Sequence, residues 1–460
     1  MLTRKISEKI SDISPIRLIV SSFFIIIILG AIFLTMPISS RSGQVTNFLD
    51  CLFVATSCTC VTGLNLFDTW CQWTEVGQFI MLVLIQLGGL GLVTFTTGFA
   101  LAMRGKLGLR DMQIVKEYTS GSIINITGLI KTILGVTFLC EAIGAILLSY
   151  KFVPEYGVYG WWISIFSSVS AYCNAGFDIL GISAPGTSLC SVATDPLVGI
   201  VMSLLIILGG LGFIVIIDVY SYLKNKVINR KFHYSLNTHS YIVLKMTALL
   251  LILGFVLFLL LEYDNTLKGM NFFQKCIVSF FQSSTARTAG FFSVEIPMEN
   301  DLTKLMTCIL MFIGASPSST GGGIKTTTFV VLVATVVSVL KGDSETTIRR
   351  KIVDKNTVYK SLSIAILGIL IVIITTSVIS WAEAGKNLAA IDIVYEAVSA
   401  FSTTGLSAGI TPLLTPISKI ILILTMFVGR VGPISLILAL TLRHTNKAET
   451  VLPQARIIVG

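Results

Sequence analysis

Long apolar stretches alternate with polar segments along the whole chain. Eight of these stretches are long enough to cross the hydrocarbon core of a bilayer as helices. They lie at residues 16–36, 76–103, 126–150, 196–220, 241–261, 302–340, 358–381 and 417–442. The pattern therefore predicts eight transmembrane spans, arranged as four consecutive pairs.

A shorter apolar segment lies between the two members of each pair. These segments run from Phe48 to Ser57, Trp161 to Tyr172, Asn271 to Thr285 and Ile391 to Phe401. At about ten to fifteen residues each is too short to span a bilayer, so we expect four re-entrant pore helices. The predicted fold class is an all-α membrane protein made of four span, pore helix, span (M1-P-M2) repeats.

A glycine in a similar setting follows every short segment. The motifs are VTGL at Gly63, NAGF at Gly176, TAGF at Gly290 and TTGL at Gly405, with spacings of 113, 114 and 115 residues between the glycines. Regular spacing indicates an internal repeat, and two spans per unit give every copy the same orientation. Four parallel copies can surround one axis, which predicts a pseudo-fourfold pore. The predicted units are residues 1–110, 111–232, 233–350 and 351–460, with filters at 60–64, 173–177, 287–291 and 402–406.

The glycine motifs have the composition expected of an ion filter. A dehydrated alkali cation needs several oxygen ligands, and backbone carbonyls from four segments can supply rings of them. Glycine tolerates a positive φ, and small neighbours allow the segments to approach closely. The candidate filter residues are Val61, Thr62, Gly63, Asn174, Ala175, Gly176, Thr288, Ala289, Gly290, Thr403, Thr404 and Gly405.

The second span of the third unit contains a polar, glycine-rich interruption. Each second span has a further glycine (Gly88, Gly209, Gly314 and Gly429), but only the third unit expands it. The expanded segment is Gly314, Ala315, Ser316, Pro317, Ser318, Ser319, Thr320, Gly321, Gly322 and Gly323. Proline and successive glycines break a helix, and broken backbone at membrane depth is tolerated where it is buried or lines water. We expect a gate below the filter; a plain polar kink is the alternative.

Three basic residues stand near these predicted sites. Arg430 lies inside an apolar run, where an unpaired Arg costs about 2.5–3.5 kcal/mol, so it should face the pore or a partner. The alternative is a structural ion pair with Glu141 or Asp218. Lys325 is a candidate gate residue, although snorkelling to the cytoplasmic end of the helix is the more usual explanation of a lone Lys there. Arg287 is expected to brace the third filter from behind rather than line it.

Composition and charge agree with a membrane protein and predict its orientation. The 460-residue chain is 54% hydrophobic and 12% charged, with a mean hydropathy of +0.87, which is more apolar surface than a soluble core can bury. Most Lys and Arg lie in the tails and in alternate loops, so both termini are expected to be cytoplasmic. The opposite face carries 14 of the 24 acidic residues, either as a surface that gathers cations or as ordinary solvated loops. They are Asp50, Asp68, Glu75, Glu155, Asp178, Asp195, Glu262, Asp264, Glu295, Glu299, Asp301, Glu383, Asp392 and Glu396.

Other functional classes find less support in the sequence. The nine cysteines include no CxxC pair, and the three histidines lie in polar segments, so no enzyme or metal site is indicated. A secondary transporter of a small solute would require inverted repeats and charges at the midplane, whereas these repeats are parallel.

With VTGL, NAGF, TAGF and TTGL at the four positions, the chain resembles the Ktr/Trk/HKT superfamily of potassium transporters over nearly its whole length. Within that superfamily it is most similar to the KtrB-like membrane subunits of bacterial Ktr systems, because the first filter follows the first span directly. The resemblance implies K⁺ uptake across the bacterial inner membrane, K⁺ bound at the filter only, and a gating loop beside an Arg at the place of Arg430.

The same resemblance implies the partners. They are a second copy of the chain, in a homodimer, and a cytosolic KtrA-like nucleotide-binding ring; neither a bound cofactor nor a nucleic acid is expected. The basic inner loops either dock that ring or only fix the topology. Activation by Na⁺ stays open.

Overall fold

The computed structural model describes residues 15–91, 126–228 and 235–441, and the regular secondary structure in these ranges is helical apart from one short β-hairpin. The first two ranges contain α1 (Pro15–Thr35), α2 (Phe48–Cys60), α3 (Thr69–Gln72), α4 (Glu75–Leu90), α5 (Ile126–Tyr156), α6 (Tyr159–Tyr172), α7 (Pro196–Leu211), α8 (Phe213–Leu223) and a π-helical turn at Lys224–Ile228. The third contains α9 (Thr238–Leu261), α10 (Phe272–Thr285), α11 (Asp301–Phe312), α12 (Thr326–Leu340), the hairpin β1 (Thr347–Ile348) and β2 (Lys351–Ile352), α13 (Lys355–Ala382), α14 (Ala390–Ser402), α15 (Pro416–Val431) and α16 (Pro433–Thr441).

Several helices are apolar and long enough to cross a bilayer. Three of the described helices meet that length without interruption, namely α9, α13 and residues Ile130–Tyr156 of α5. The pair α7 and α8 is a fourth candidate, bent by 99° at its break. The predicted span at 76–103 extends beyond the described residues. Eight spans and their fourfold arrangement therefore stay a prediction.

The outer surface of the helices is apolar, as a lipid environment requires. Phe24, Leu260 and Leu340 are 58%, 69% and 81% exposed, and many similar side chains accompany them. A soluble protein rarely exposes apolar surface on this scale. The bilayer is the solvent that would cover it.

The four short apolar segments are helices, as predicted, with ends that differ by at most three residues. They are α2, α6, α10 and α14. Local signals begin two of them: the Asn47 side chain accepts a hydrogen bond from the Leu49 N–H, and Asn271 and Gln274 form a capping box. At most two residues separate the end of each helix from the start of its glycine motif.

The helix that follows each glycine motif is interrupted in more than one unit, so the expectation that the third alone is broken is wrong. Gly212, with a φ of 87°, separates α7 from α8, and Gly432, with a φ of 91°, separates α15 from α16. Helix α4 ends at Leu90, and the next residue, Gly91, has a φ of 74°. One glycine with a positive φ suffices to end a helix, without a proline or a run of glycines. The third interruption is the longest, covering residues 313–325.

A glycine in three of these second helices lies against the carbonyl end of the short helix in the same unit. A methyl group there would overlap a backbone carbonyl oxygen, so only glycine allows the close approach. The pairs are Gly88 with Thr59, Gly209 with Tyr172 and Gly429 with Phe401. Gly314 differs, since it packs against Gly322 inside the long interruption.

Candidate functional site

The four motif glycines are neighbours in the structure, in cyclic order along the chain. A methyl group on Gly63 would lie 3.2 Å from the Cα atoms of both Gly176 and Gly405. One on Gly290 would lie 3.1 Å from the Cα of Gly176 and 3.2 Å from that of Gly405. Segments more than 100 residues apart in sequence thus meet around one centre.

Backbone carbonyls of the motifs converge on the same centre. A methyl group added to any of the four glycines would lie nearest to a backbone carbonyl oxygen of a neighbouring motif. That oxygen belongs to the residue immediately before the neighbouring motif's glycine. The pairs are Gly63 with Ala175, Gly176 with Ala289, Gly290 with Thr404 and Gly405 with Thr62. Any side chain at these positions would have to displace a carbonyl. Oxygens from four segments are the ligands that a dehydrated alkali cation prefers.

The motifs share an unusual backbone path. The residue two before each glycine has a positive φ although it is not a glycine: Val61 at 56°, Asn174 at 59°, Thr288 at 72° and Thr403 at 50°. The glycines follow at 96°, 71°, 85° and 91°, and the residue between is not left-handed. A left-handed non-glycine residue costs on the order of 1 kcal/mol. Its recurrence at four equivalent positions indicates one common local structure.

A serine six residues before each motif glycine was missed by the sequence analysis. Ser57 Oγ accepts the Gly63 N–H at 3.1 Å and Ser399 Oγ accepts the Gly405 N–H at 3.0 Å. Ser170 Oγ accepts the N–H of Phe177, one residue further on, at 3.1 Å. These bonds tie the glycine segment to the last turns of the short helix. The serines become visible in the sequence when the four motifs are aligned on their glycines and the alignment is extended six residues towards the N-terminus.

The third motif is anchored differently. Its serine, Ser284, donates to the Phe280 carbonyl of its own helix at 2.8 Å, while Thr285 donates to the Phe291 carbonyl at 2.6 Å. Arg287 is buried with Ala315 beside it, and it is not among the residues that line the larger cavity at the four glycines. The four segments are therefore similar but not equivalent.

A cavity of about 370 Å³ opens on one side of the four glycines, and three carboxylates line it: Asp68, Asp178 and Glu295. Asp178 accepts hydrogen bonds from the Ser188 hydroxyl at 2.6 Å and from the Leu180 N–H at 3.1 Å. Burial nevertheless raises the pKa of Asp178 to about 6, and the nearby Asp68 adds to the rise. The cavity can concentrate cations in front of the glycines.

Several other acids of the predicted outer face form hydrogen bonds or ion pairs within the protein or are buried. The expectation that all 14 acids form a cation-gathering surface was therefore too broad. Two carboxylates cap the second helices: Glu262 accepts the Asn300 N–H at 3.0 Å, and Glu383 accepts the Thr415 N–H at 2.7 Å. Two more form ion pairs, Asp50 with Lys419 at 2.7 Å and Asp392 with Lys304 at 2.8 Å. Glu299 and Glu396 are buried.

The long interruption at residues 313–325 packs against the motif segments on the side away from this cavity. Its Ser316 N–H donates to the Gly210 carbonyl at 3.1 Å, at the end of α7. Two glycines of the interruption lie against threonine hydroxyls of the motif segments, where any side chain would collide. These contacts are Gly321 with Thr288 and Gly322 with Thr403. The interruption thus lies directly beneath the converging carbonyls.

Two basic side chains hold the interruption in place. Arg430 donates to the carbonyls of Thr320 and Gly88, which joins the interruption to α4. Lys325 Nζ donates to the Gly321 carbonyl at 2.6 Å and to the Gly322 carbonyl at 3.5 Å. The two acids considered as partners of Arg430 have hydrogen bonds of their own: Glu141 accepts from Gln86 at 3.0 Å, and Asp218 accepts from Asn237 at 2.8 Å.

The described ranges contain neither a cluster of metal-binding side chains nor a disulfide. No group of three or more His, Cys, Asp or Glu side chains in residues 15–91, 126–228 and 235–441 is arranged to hold a metal ion. All nine cysteines are free thiols.

Comparison with known proteins gives a consistent result over the whole chain. The family model described as cation transport protein, TrkH, matches residues 7–449. The chain is 37% identical over 456 residues to the potassium/sodium uptake protein NtpJ of Enterococcus hirae, covering 97% of this chain and 98% of that one. It is 35% identical over 451 residues to the Ktr system potassium uptake protein B of Bacillus subtilis, covering 97% of each.

A solved structure shares the fold. The potassium transporter TrkH from Vibrio parahaemolyticus superimposes with a TM-score of 0.69 at 16% identity, over 92% of this chain and 83% of that one. At this identity the likeness concerns the fold alone.

Proposed function

The chain belongs to the TrkH family of cation transport proteins, which are ion transporters and not enzymes, and from this premise we propose that it takes up K⁺ across the bacterial cytoplasmic membrane. It would act as the ion-translocating subunit of a Ktr-type system. The names of the relatives, potassium/sodium uptake protein and Ktr system potassium uptake protein B, support both the ion and the system.

The observation that carries the proposal is the convergence of carbonyls from four segments at Gly63, Gly176, Gly290 and Gly405. K⁺ loses its hydration shell readily if backbone oxygens replace the water. The glycines let the segments approach, and the serine hydroxyls hold them. We assign the filter to these glycines and the two residues before each, the same twelve residues that the sequence indicates.

We further propose that the chain forms four parallel M1-P-M2 units around this centre, with α2, α6, α10 and α14 as the pore helices. The boundaries would be those of the sequence analysis, 1–110, 111–232, 233–350 and 351–460. The cyclic order of the glycines and the shared backbone dihedrals support this arrangement. Both termini would be cytoplasmic, and the acid-lined cavity would face outward.

The gate in this proposal is the interruption from Gly314 to Gly323 together with Lys325 and Arg430. It lies beneath the carbonyls, and its backbone oxygens accept hydrogen bonds from both cations. In this position the segment blocks the ion path, and the two positive charges oppose a cation that leaves the filter. Opening would require these hydrogen bonds to break or to exchange.

Regulation would come from separate chains. We propose a homodimer that sits on a cytosolic KtrA-like nucleotide-binding ring, with no cofactor on this chain. The name of the Enterococcus relative includes sodium, which keeps Na⁺ as a candidate activator or second transported ion.

The experiment is K⁺ uptake in a bacterium that lacks its own K⁺ uptake systems, followed by Rb⁺ flux into vesicles that contain the purified protein. We expect growth at low K⁺ and flux of K⁺ and Rb⁺. A folded, reconstituted protein that passes neither ion contradicts the proposal.

The filter assignment is tested with Gly290→Ser. The new side chain would collide with the Thr404 carbonyl, so we expect K⁺ to lose its preference over Na⁺. The matched control is Gly269→Ser, because Gly269 has the same φ of 85° but open space where the side chain would be. Equal K⁺/Na⁺ discrimination in both variants would remove Gly290 from the filter.

A further inference from the structure

A groove of about 720 Å³ runs between the first half of α9 and most of the length of α12, and none of the motif residues lines it. Its walls are apolar, with Leu249, Phe329, Val333 and Val337 among the lining residues. The volume lies in the range of about 300–1,000 Å³ that is usual for small-molecule sites. In the proposed orientation the groove opens towards the lipid at the cytoplasmic side.

One end of the groove is basic. Lys245 of α9, Lys341 at the end of α12 and Arg349 of the hairpin line it, and Asp343 is the one acid among the lining residues. In the part of the chain that the structure describes, none of the three basic side chains forms an ion pair. Helix α9 begins near this end and α12 finishes at it.

The β-hairpin holds one of these charges over the groove at a conformational cost. Arg349 and Arg350 form the two-residue turn between β1 and β2, with φ values of 52° and 59°. Such turns favour Asn-Gly, because both residues are left-handed. The Arg349 guanidinium stacks 4.5 Å above the Tyr241 ring, and Tyr241 also lines the groove. Two arginines in a turn that strains them point to a use for their charge.

We propose that this groove binds one anionic phospholipid. Its acyl chains would lie along α9 and α12, and its phosphate would contact Lys245, Lys341 and Arg349. An apolar wall with a net positive end is complementary to such a lipid, and basic pockets between membrane helices on the cytoplasmic side are known to bind anionic head groups. The inference rests on the proposed membrane orientation, but not on the ion that the chain transports.

The site would also connect lipid to the gate segment. Helix α12 begins at Thr326, immediately after Lys325, and most of its length lines the groove. A lipid between α9 and α12 would therefore restrict the helix that carries the end of the interruption.

The test is native mass spectrometry of the purified full chain with added phosphatidylglycerol or phosphatidylcholine. We compare the triple variant Lys245→Gln, Lys341→Gln, Arg349→Gln with a control triple, Lys351→Gln, Lys355→Gln, Lys360→Gln. The control removes the same charge from exposed positions that do not line the groove. Each basic contact to an anionic head group is worth roughly fivefold in affinity. We expect the first triple to lose phosphatidylglycerol affinity by at least about tenfold, and the control to keep it.

A second variant separates the groove from charge alone. Ala334→Trp fills the groove and leaves every charge in place, and we expect it to lose the lipid as well. If the groove triple does not fold, Lys341→Gln alone is measured, with an expected loss of about fivefold. The proposal is overturned if the groove variants bind phosphatidylglycerol undiminished or if the control triple loses it equally. It is also overturned if phosphatidylcholine binds equally well, or if a second protein copy is cross-linked in the groove. Binding is measured without flux, so failure of K⁺ transport gives a separate result.

Discussion

Single hydroxyl groups connect the short helices α2, α6 and α14 to the glycine segments. Ser57 and Ser399 accept the N–H of their motif glycine, and Ser170 accepts the next N–H. Each fixes the peptide plane beside a carbonyl that faces the centre. Glycine alone would leave these planes free to rotate, because it restricts φ least of all residues. The serines therefore supply rigidity that the glycines lack.

Replacement of Ser399 by Ala should weaken ion selectivity. The buried Gly405 N–H would lose its acceptor, which costs about 1–3 kcal/mol and allows the peptide to turn. We expect the K⁺/Na⁺ uptake ratio to fall roughly fivefold or more. Ser284→Ala is the control, because that hydroxyl bonds only to the Phe280 carbonyl of its own helix. An equal change in both variants would exclude the anchoring role.

K⁺ uptake should depend on external pH through Asp178. Its pKa is raised to about 6 by burial, so the carboxylate is charged above pH 6 and neutral below it. We therefore expect the KM for K⁺ to rise as the external pH falls through about 6, with little change in maximal rate. Asp178→Asn should show the higher KM at every pH. Glu155→Gln removes an acid outside the cavity, and its pH profile should match that of the unaltered protein.

Among the helices, the interrupted ones carry the largest departures from regularity. Local sequence predicted the third interruption well, because Pro317 and three glycines cannot continue a helix. The breaks at Gly212 and Gly432 escaped prediction, since an isolated glycine also occurs inside helices, for example Gly254 in α9. Packing decides between these two outcomes. At Gly212 the chain turns because the Phe213 N–H donates to the Ser318 carbonyl of the long interruption.

Removal of the bonds that hold the interruption should increase flux. Arg430→Gln loses two charge-assisted hydrogen bonds to carbonyls, each worth about 1.5–3 kcal/mol. We expect the opening equilibrium to shift by at least about tenfold and K⁺ flux into vesicles to rise. Deletion of Ser318 to Thr320 should act in the same direction. Lys224→Gln, a basic residue far along the chain from the segment, is the control. Unchanged or lower flux in both gate variants would contradict gating.

In the proposed arrangement of four units, equivalent positions join each unit to the next, with different chemistry at each junction. They lie ten residues before the second-helix glycines Gly88, Gly209, Gly314 and Gly429. Gln78 accepts the Trp162 N–H at 2.8 Å, and Gly199 packs on Ile277. Lys304 pairs with Asp392, and Lys419 pairs with Asp50, which closes the cycle from the last unit to the first. Two ion pairs thus fix the fourth unit on both of its sides.

Loss of one partner of the closing pair should destabilise the whole protein. Lys419 and Asp50 are 16% and 18% exposed, so Asp50→Asn leaves a mostly buried cation and should cost roughly 1–3 kcal/mol, less than a fully buried pair. We expect a lower Tm in detergent and partial recovery in Lys419→Met with Asp50→Leu. The exposed pair Lys151 and Glu155 is the control, with an expected effect below about 1 kcal/mol. Additive losses in the double variant would exclude direct coupling.

Short-range physics explains what could be read from the sequence alone. Apolar length predicts helices that suit a bilayer, and a glycine after each short helix marks the four motifs, because both signals depend on neighbouring residues only. Contacts between distant segments could not be read in this way. Asp68 and Asp178 line the cavity while Glu262 and Glu383 cap helices, although all four are acids on the same predicted face. Each carboxylate's role depends on which segment, 30 to more than 100 residues away, folds against it, and only the assembled chain determines that.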